Sequence, residues 1–387
     1  MTRVAIIGVG MTPFMEHWQE GYRDLITRAG AQAVNDAGIE GNDIDAFYVG
    51  AMSPGQLIGQ EHIGALIADF VGLSEKASTR VEGACASGGL ALRQAYLSIK
   101  AGMNDIVVAA GGEKMTDVPT SSAVVALAGA GDEEWESFNG ATFPGLYAMM
   151  ARRHMHEYGT TEEQMAMVAV KNHHNATMNK NAQYQFEVTL EQVMNSSPIA
   201  TPLKLLDCSP ITDGSAAVIL AGEKTAKRLT DKPIWIEGTG QSGDSLALHD
   251  RKSLSRTDAA VRASRLAYEM AGIGPQDIDT AEVHDCFTIA EIMAIEALGF
   301  CDFGQGGKIT ENGETRIGGR IPVNTSGGLK AKGHPVGATG IAQAIEVALQ
   351  LRGEAGKRQV QDAKIGLTHN VGGSGATCVV HILKKDY

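Results

Sequence analysis

The chain has 387 residues, 43% hydrophobic and 20% charged, a globular composition with enough length for two or three domains' worth of core. A net charge of −12 argues against nucleic acid and against an anionic membrane surface, and no run approaches the roughly 18 apolar residues of a membrane span. Five widely spaced cysteines with no CxxC pair, and no visible signal peptide, point to a reducing cytoplasm and away from a zinc site.

Arg3 to Gly10 reads as a buried strand and a turn. Gly8-Val9-Gly10 invites comparison with a dinucleotide fingerprint, but Pro13 stands where the third glycine should be and no clean helix opens there. A helix follows from Tyr22 to about Ala37, then a strand from Ala46 to Gly50. In Val81-Glu82-Gly83-Ala84-Cys85-Ala86-Ser87-Gly88-Gly89-Leu90 a cysteine sits among small residues just before a helical pattern that ends at Ala101-Gly102. Unpaired N–H groups and the helix dipole at such a start favour a thiolate, which makes Cys85 a candidate nucleophile. A buried, inert cysteine is the plainer reading, and this stretch alone leaves both open. Asp105 to Gly112 is another buried strand. Continuous apolar strands alternating with helices predict a parallel or mostly parallel sheet covered on both faces.

The second half repeats the first. Lys232 to Gly238 mirrors the first strand. Ala271-Gly272-Ile273 with Asp277-Ile278-Asp279 repeats Ala37-Gly38-Ile39 with Asp43-Ile44-Asp45 at an offset of 234, and Ser326-Gly327-Gly328-Leu329 repeats Ser87-Gly88-Gly89-Leu90 at 239. Gly375 to Val380 resembles Gly214 to Ile219 at an offset of only 161. The lost 78 residues measure an insertion in the first half, between about residues 113 and 213. That insertion is rich in Met and His (Met149, Met150, His154, Met155, His156, Met165, Met167, His173, His174). Packing explains these better than a metal cluster, because neighbours such as His173 and His174 face different sides of a helix. A substrate-shaping excursion is the expected role.

Three further stretches place reactive side chains at turns: Glu282-Val283-His284-Asp285-Cys286-Phe287, Lys332-Gly333-His334-Pro335-Val336-Gly337, and Thr368-His369-Asn370-Val371-Gly372-Gly373-Ser374-Gly375. Each alone reads equally as a core histidine, a helix cap or a tight turn. Together with Cys85 they supply what acyl transfer needs: a thiol nucleophile, an imidazole to activate it, a second acid/base and backbone N–H donors for an oxyanion. In a duplicated doubly wound fold, equivalent turns of both halves reach one side of the molecule, so one cleft can collect them.

With these motifs the chain resembles the thiolase superfamily along essentially its whole length. Cys85-Ala86-Ser87 looks like the family's CxS turn and Gly333-His334-Pro335 like its GHP turn. Where classical thiolases have Asn-Glu-Ala-Phe this chain has His284-Asp285-Cys286-Phe287, and where they have Cys-x-Gly it has His369-Asn370-Val371-Gly372-Gly373. Both departures occur together in the sterol-carrier-protein-2-type thiolases and the archaeal acetoacetyl-CoA thiolases similar to them. The resemblance implies an α/β, duplicated thiolase fold in five layers, α-β-α-β-α, with an inserted loop domain. It divides the chain into 1–116 with 200–228, the loop domain 117–199, and 232–387. It implies condensation of two acetyl-CoA to acetoacetyl-CoA, and the reverse thiolysis, in a reaction that feeds the mevalonate route.

The roles it implies are Cys85 as nucleophile, His334 as its base, Cys286 as second acid/base, and His284 with His334 around the enolate oxygen. The N–H groups of Cys85 and of Gly372 or Gly373 form the other oxyanion hole. Substrate contacts fall on Phe143, Pro144, Ser242, Gly243 and Ser326, within a coenzyme A pocket that includes the Gly243–Leu248 region. Lys330 and Lys332 are candidates for its phosphates or, equally, solvated surface lysines. No metal and no cofactor beyond the coenzyme A thioesters is expected. The implied partners are a second copy, as a homodimer or dimer of dimers, and hydroxymethylglutaryl-CoA synthase joined through a small OB-fold zinc-ribbon protein. The alternatives are a thiolase-like subunit with other thiolysis or retro-aldol activity, a β-ketoacyl synthase, which leaves the second thiol unexplained, and a hydrolase, whose nucleophile elbow has a glycine two residues on where this chain has Ser87, and which also leaves Cys286 unexplained.

Overall fold

The computed structural model describes residues 2–387. The chain opens with β1 (Val4–Met11), α1 (Tyr22–Ala37), β2 (Ala46–Gly50), a short α2 (Pro54–Leu57), α3 (Ile63–Phe70) and β3 (Ala77–Val81). After the Cys85 turn come α4 (Ser87–Lys100) and β4 (Ile106–Glu113). The excursion that follows holds α5 (Thr120–Ala128), α6 (Phe143–Tyr158), α7 (Glu162–Ala176), α8 (Leu190–Met194) and a small hairpin of β5 (Pro198–Ala200) and β6 (Leu203–Lys204). It returns through β7 (Gly214–Gly222) and α9 (Glu223–Leu229). The second half runs β8 (Ile234–Gly243), α10 (Asp258–Ala271), β9 (Thr280–Glu282), α11 (Thr288–Ala297), α12 (Gly306–Glu311), α13 (Thr339–Arg352), β10 (Ile365–Gly372) and β11 (Thr377–Lys384).

The strands are ordered β3-β2-β4-β7-β1-β8-β11-β10-β9, and Val323 bridges Ala281 beyond β9. Read outward from the central β1–β8 pair, each half thus has the same order, which is the three-dimensional form of the sequence repeat. The expectation of a mostly parallel sheet fails. Only β2–β3, β2–β4 and β9–β10 run parallel. The pairs β4–β7, β7–β1, β1–β8, β8–β11 and β11–β10 are antiparallel. The inner strands β4 and β7 are wholly buried because both faces are covered, and burial on two faces erases the alternation by which an antiparallel strand is recognised.

Helices α4 and α13 pack between the two halves of the sheet, with Leu92, Ile99, Ile341 and Leu351 against Val107, Val218, Ile236 and Leu383. The outer face of the first half is covered by α1 and α3, and that of the second by α10 and α11. These are the five layers. Gly8 and Gly10 serve this packing: a Cβ on either would lie 2.3 Å from a carbonyl oxygen of α1. Gly238 and Gly240 do the same under α10. The glycine pair therefore seats a helix, twice. The excursion's α6 and α7 lie on α11, in the other half. Part of its histidine and methionine content is packed: His154 is buried against Glu296 (3.1 Å) and Thr160 (2.8 Å), and Met150, Met165 and His173 are buried, whereas Met149, His156 and His174 are exposed. Among the described residues no helix is long and apolar enough to cross a membrane.

Candidate active site

Cys85 stands in a single 3₁₀ turn, Ala84–Ala86, that runs straight into α4. Ala84 sits in the left-handed region at φ 52°, which an L-residue adopts only under constraint. Ser87 supplies that constraint: its hydroxyl donates to the Ala84 carbonyl (2.6 Å) and accepts from the Gly83 N–H (3.0 Å). The N–H groups of Gly373 and of Cys85 itself face the Cys85 sulfur. Burial nevertheless pushes the thiol up to about 12, with Glu113 adding to the rise. The expected thiolate at a helix start is therefore not favoured here. One of the first amides of α4, that of Gly89, is engaged by Asn370 Oδ1 (3.1 Å), and loss of water outweighs the donors that remain.

His334 follows the Lys332-Gly333 turn, where the Thr212 hydroxyl accepts its backbone N–H (3.1 Å). Its Nδ1 lies 2.6 Å from Thr339 Oγ1, whose hydroxyl donates to the Pro335 carbonyl (3.1 Å). That hydroxyl proton is engaged, so Nδ1 carries its own proton and Nε2 is left as a lone pair. The His284 ring lies edge-on to that of His334, centroids 5.0 Å apart. Neither Nε2 has a protein partner. Cys85, His284 and His334 each offer an atom within 4.8 Å of the other two, the one such group of potential metal ligands among the described residues. Burial holds both rings neutral, His334 down to about 3 and His284 well below the ordinary range.

Cys286 is buried at the start of α11, its thiol pushed well above the ordinary range by burial and by Cys85. The turn that presents it is pinned through Asp285, whose carboxylate accepts from the N–H groups of Leu329 (2.6 Å) and Lys330 (3.2 Å) and from Asn172 of α7 (2.7 Å). Two residues escaped the reading of the sequence. Tyr147, one turn after Phe143 on α6, lines the same cleft as Cys286 and donates to the Gly373 carbonyl (3.1 Å). Its spacing from Phe143-Pro144 was the available signal. Glu113 accepts N–H groups from Met52 (3.0 Å), Ser53 (3.2 Å) and Gly337 (3.0 Å), clamping the His334 turn to the first half, and burial pushes it up to about 7. Its partners lie far away in sequence, and no local pattern marks it.

Residues 4–224 match the family model "Thiolase, N-terminal domain", and residues 240–385 match "Thiolase C-terminal domain-like". The chain belongs to the thiolase family. It is 59% identical over 387 residues, all of both chains, to an acetyl-CoA acetyltransferase of Methanothermobacter thermautotrophicus. It is 38% identical to sterol carrier protein 2 of Bos taurus, over 97% of this chain and 71% of that one. Among solved structures it resembles the Ltp2-ChsH2(DUF35) aldolase, with a TM-score of 0.85, 30% identity, and coverage of 99% and 98% of the two chains.

One cleft brings together Cys85, Cys286, His334, Gly373, Phe143 and Tyr147, with Pro144 also on its wall. His284 reaches the same centre through Cys85 and His334. Other expected residues do not come to the cleft. Gly372 stops one position short, pairing with Thr377 where β10 turns into β11. Ser242 Oγ accepts from Arg262 (3.0 Å), as does the Gly243 carbonyl, at the end of β8. Ser326 is buried, its hydroxyl engaged by Glu282 and by Lys332 Nζ (2.8 Å). Lys330 and Lys332 are both 1% exposed, so neither is a surface lysine nor free to meet a phosphate. Of the Gly243–Leu248 region, Leu248 packs with Tyr147 and Phe287.

Proposed function

We propose that the chain is an acetyl-CoA C-acetyltransferase that condenses two acetyl-CoA to acetoacetyl-CoA, and runs the reverse thiolysis, through an acetyl-Cys85 intermediate. The observation that carries this reading is the convergence of two thiols and two unpartnered imidazole nitrogens beside backbone N–H groups that face one of the sulfurs. The family and the named relatives support the substrate class.

In the first half-reaction His334 Nε2 takes the Cys85 proton as the sulfur attacks the thioester carbonyl. The N–H groups of Cys85 and Gly373 receive the oxyanion, each worth roughly 3–4 kcal/mol of barrier. As the C–S bond to coenzyme A breaks, the Cys286 thiol gives its proton to the leaving sulfur. An acetyl-Cys85, a His334 imidazolium and a Cys286 thiolate remain. In the second half-reaction that thiolate removes a Cα proton from a new acetyl-CoA, and the enolate oxygen rests on Nε2–H of His334 and of His284. The enolate carbon attacks acetyl-Cys85, and the expelled sulfur recovers its proton from His334. The cycle closes with both thiols protonated, the forms that burial favours for each, and no step needs a cofactor.

The residue blocks 1–116 with 200–228, 117–199 and 232–387 belong to the same proposal, supported by the repeated strand order. So do assembly into dimers, a link to the mevalonate route, and a cytoplasmic location, the last supported by five unpaired cysteines. Work with a partner protein is supported by the likeness to the Ltp2-ChsH2(DUF35) aldolase, whose name pairs two components.

Radiolabelled acetyl-CoA tests the core of this reading. Label is expected on Cys85 and absent from Cys85→Ala. Cys286→Ser is expected to take label while losing condensation. Label that survives Cys85→Ala, or a Cys286→Ser enzyme that condenses normally, would overturn the assignment.

A further inference from the structure

His284 is useful to an enolate oxygen only if the proton of its neutral ring sits on Nε2, the nitrogen at the cleft. Asn370 on β10 decides where that proton sits. Its side chain is buried and touches three groups. Oδ1 accepts the Gly89 N–H (3.1 Å), and a backbone N–H can only donate. Nδ2 donates to the Cys85 carbonyl (3.0 Å), which can only accept. These two contacts fix which end of the amide is oxygen, since the flipped amide would set donor against donor and acceptor against acceptor. The same Nδ2 lies 3.2 Å from His284 Nδ1. An amide nitrogen offers only protons, so Nδ1 must be the lone pair and the ring proton falls on Nε2.

His334 is set the other way, with the Nδ1 proton on Thr339 and the Nε2 lone pair facing Cys85. Two histidines 5.0 Å apart are thus held in opposite tautomers, one as acceptor and one as donor. The amide has little room to turn: a Cβ at Gly89 would lie 2.8 Å, and one at Gly340 2.3 Å, from Asn370 Oδ1.

We propose that Asn370 is a positioning residue that locks His284 as the Nε2–H tautomer while it ties the Cys85 turn to β10. The benefit to the enolate rests on the function proposed above; the tautomer itself does not. The test is the long-range ¹H–¹⁵N spectrum of the full-length enzyme labelled at histidine nitrogens, with His284 and His334 assigned from His284→Gln and His334→Gln. The expected result is a bare Nδ1 and protonated Nε2 for His284, and the reverse for His334. In Asn370→Asp, a carboxylate of the same shape facing Nδ1 should bring a proton onto that nitrogen and leave His334 unchanged. A protonated His284 Nδ1 in the wild type overturns the proposal even if the variant fails to fold, and so does a Nδ1 that stays bare in Asn370→Asp. Correct tautomers in an enzyme unable to condense acetyl-CoA would instead sink the proposed reaction and leave the positioning role standing.

Discussion

Just before the turn Cys85-Ala86-Ser87-Gly88-Gly89, Ala84 sits in the left-handed region at φ 52°; in the repeat, Asn324-Thr325-Ser326-Gly327-Gly328, the left-handed residue is Asn324 at φ 57°, one register position later, where the first copy has Cys85. In the first copy that backbone presents a cysteine to a cleft. In the second every side chain is buried and bonded. Thr325 reaches Glu346 (3.0 Å), Ser326 reaches Glu282, and Lys332 sits between Ser326 and Glu282. The difference lies in what covers them. The excursion leaves the first half yet lays α7 over the second turn: Asn175 donates to the Asn324 carbonyl (3.0 Å) and Asn179 to that of Ser326 (2.9 Å). A Cβ on Gly327 would fall 2.7 Å from that of Ala176. One insertion therefore buries one copy and leaves the other open, which turns a duplicated device into one reactive turn and one locking turn.

The largest effect separates the two copies directly. Cys85→Ala should lower acetyl transfer more than about 10³-fold with little change in urea unfolding, since it removes the nucleophile from a half-open site. Ser326→Ala should do the opposite. It strips a hydroxyl from the buried Glu282–Lys332 pair and costs about 1–3 kcal/mol of stability, while the folded fraction keeps its rate. Loss of activity from Ser326→Ala at full stability would mean that the second turn also touches substrate, and the contrast would break.

A second test asks whether the open turn is also a charged one. With Cys85 up at about 12 and His334 down at about 3, the pair is neutral thiol and neutral imidazole at pH 7. The thiolate fraction of such a thiol rises with pH until the pKa is passed. Iodoacetamide inactivation, measured in a Cys286→Ala background, should therefore climb about tenfold per pH unit from pH 7 to pH 10 without levelling. A plateau near neutrality would reveal a thiolate–imidazolium ion pair in the resting enzyme.

What the sequence made legible follows the same division. Cys85 and His334 stood out because each reactive side chain lies in a short run of small or turn-forming residues, Cys286 because family likeness marked its His-Asp-Cys-Phe turn, and the repeat gave a reason for the runs to meet. Glu113 and Tyr147 did not, because their significance comes from partners far along the chain: Glu113 meets Gly337 from 224 positions away. Ser242, Gly243 and Ser326 came from family likeness alone, and likeness in sequence did not bring them to the cleft. The direction of the sheet was hidden by burial on both faces, and the high pKa of Cys85 by a desolvation that only the assembled core creates. Periodicity registers that a residue is apolar, but not how much water its neighbours have lost.

The smallest effect is the most pointed for the two turns. Ala84 has no side chain able to compensate its left-handed backbone, a conformation that costs an L-residue roughly 1–2 kcal/mol. Ala84→Gly removes that cost but adds freedom to the unfolded chain worth roughly 0.5–1 kcal/mol, so a net gain of between about 0 and 1.5 kcal/mol is expected. Asn324 differs because its side chain accepts from the Val283 N–H (2.8 Å) and donates to Glu291 (2.7 Å). Asn324→Gly relieves a left-handed backbone of the same kind but leaves that N–H and that carboxylate short of a partner in the core, and should destabilise by about 1–3 kcal/mol. Opposite signs from the same substitution type, read as shifts in the urea midpoint, would show that the reactive turn stores strain which the locking turn has bonded away. A loss of stability in Ala84→Gly would mean instead that Ser87 and Asn370 hold the turn without strain, and that the two copies differ only in what lies above them.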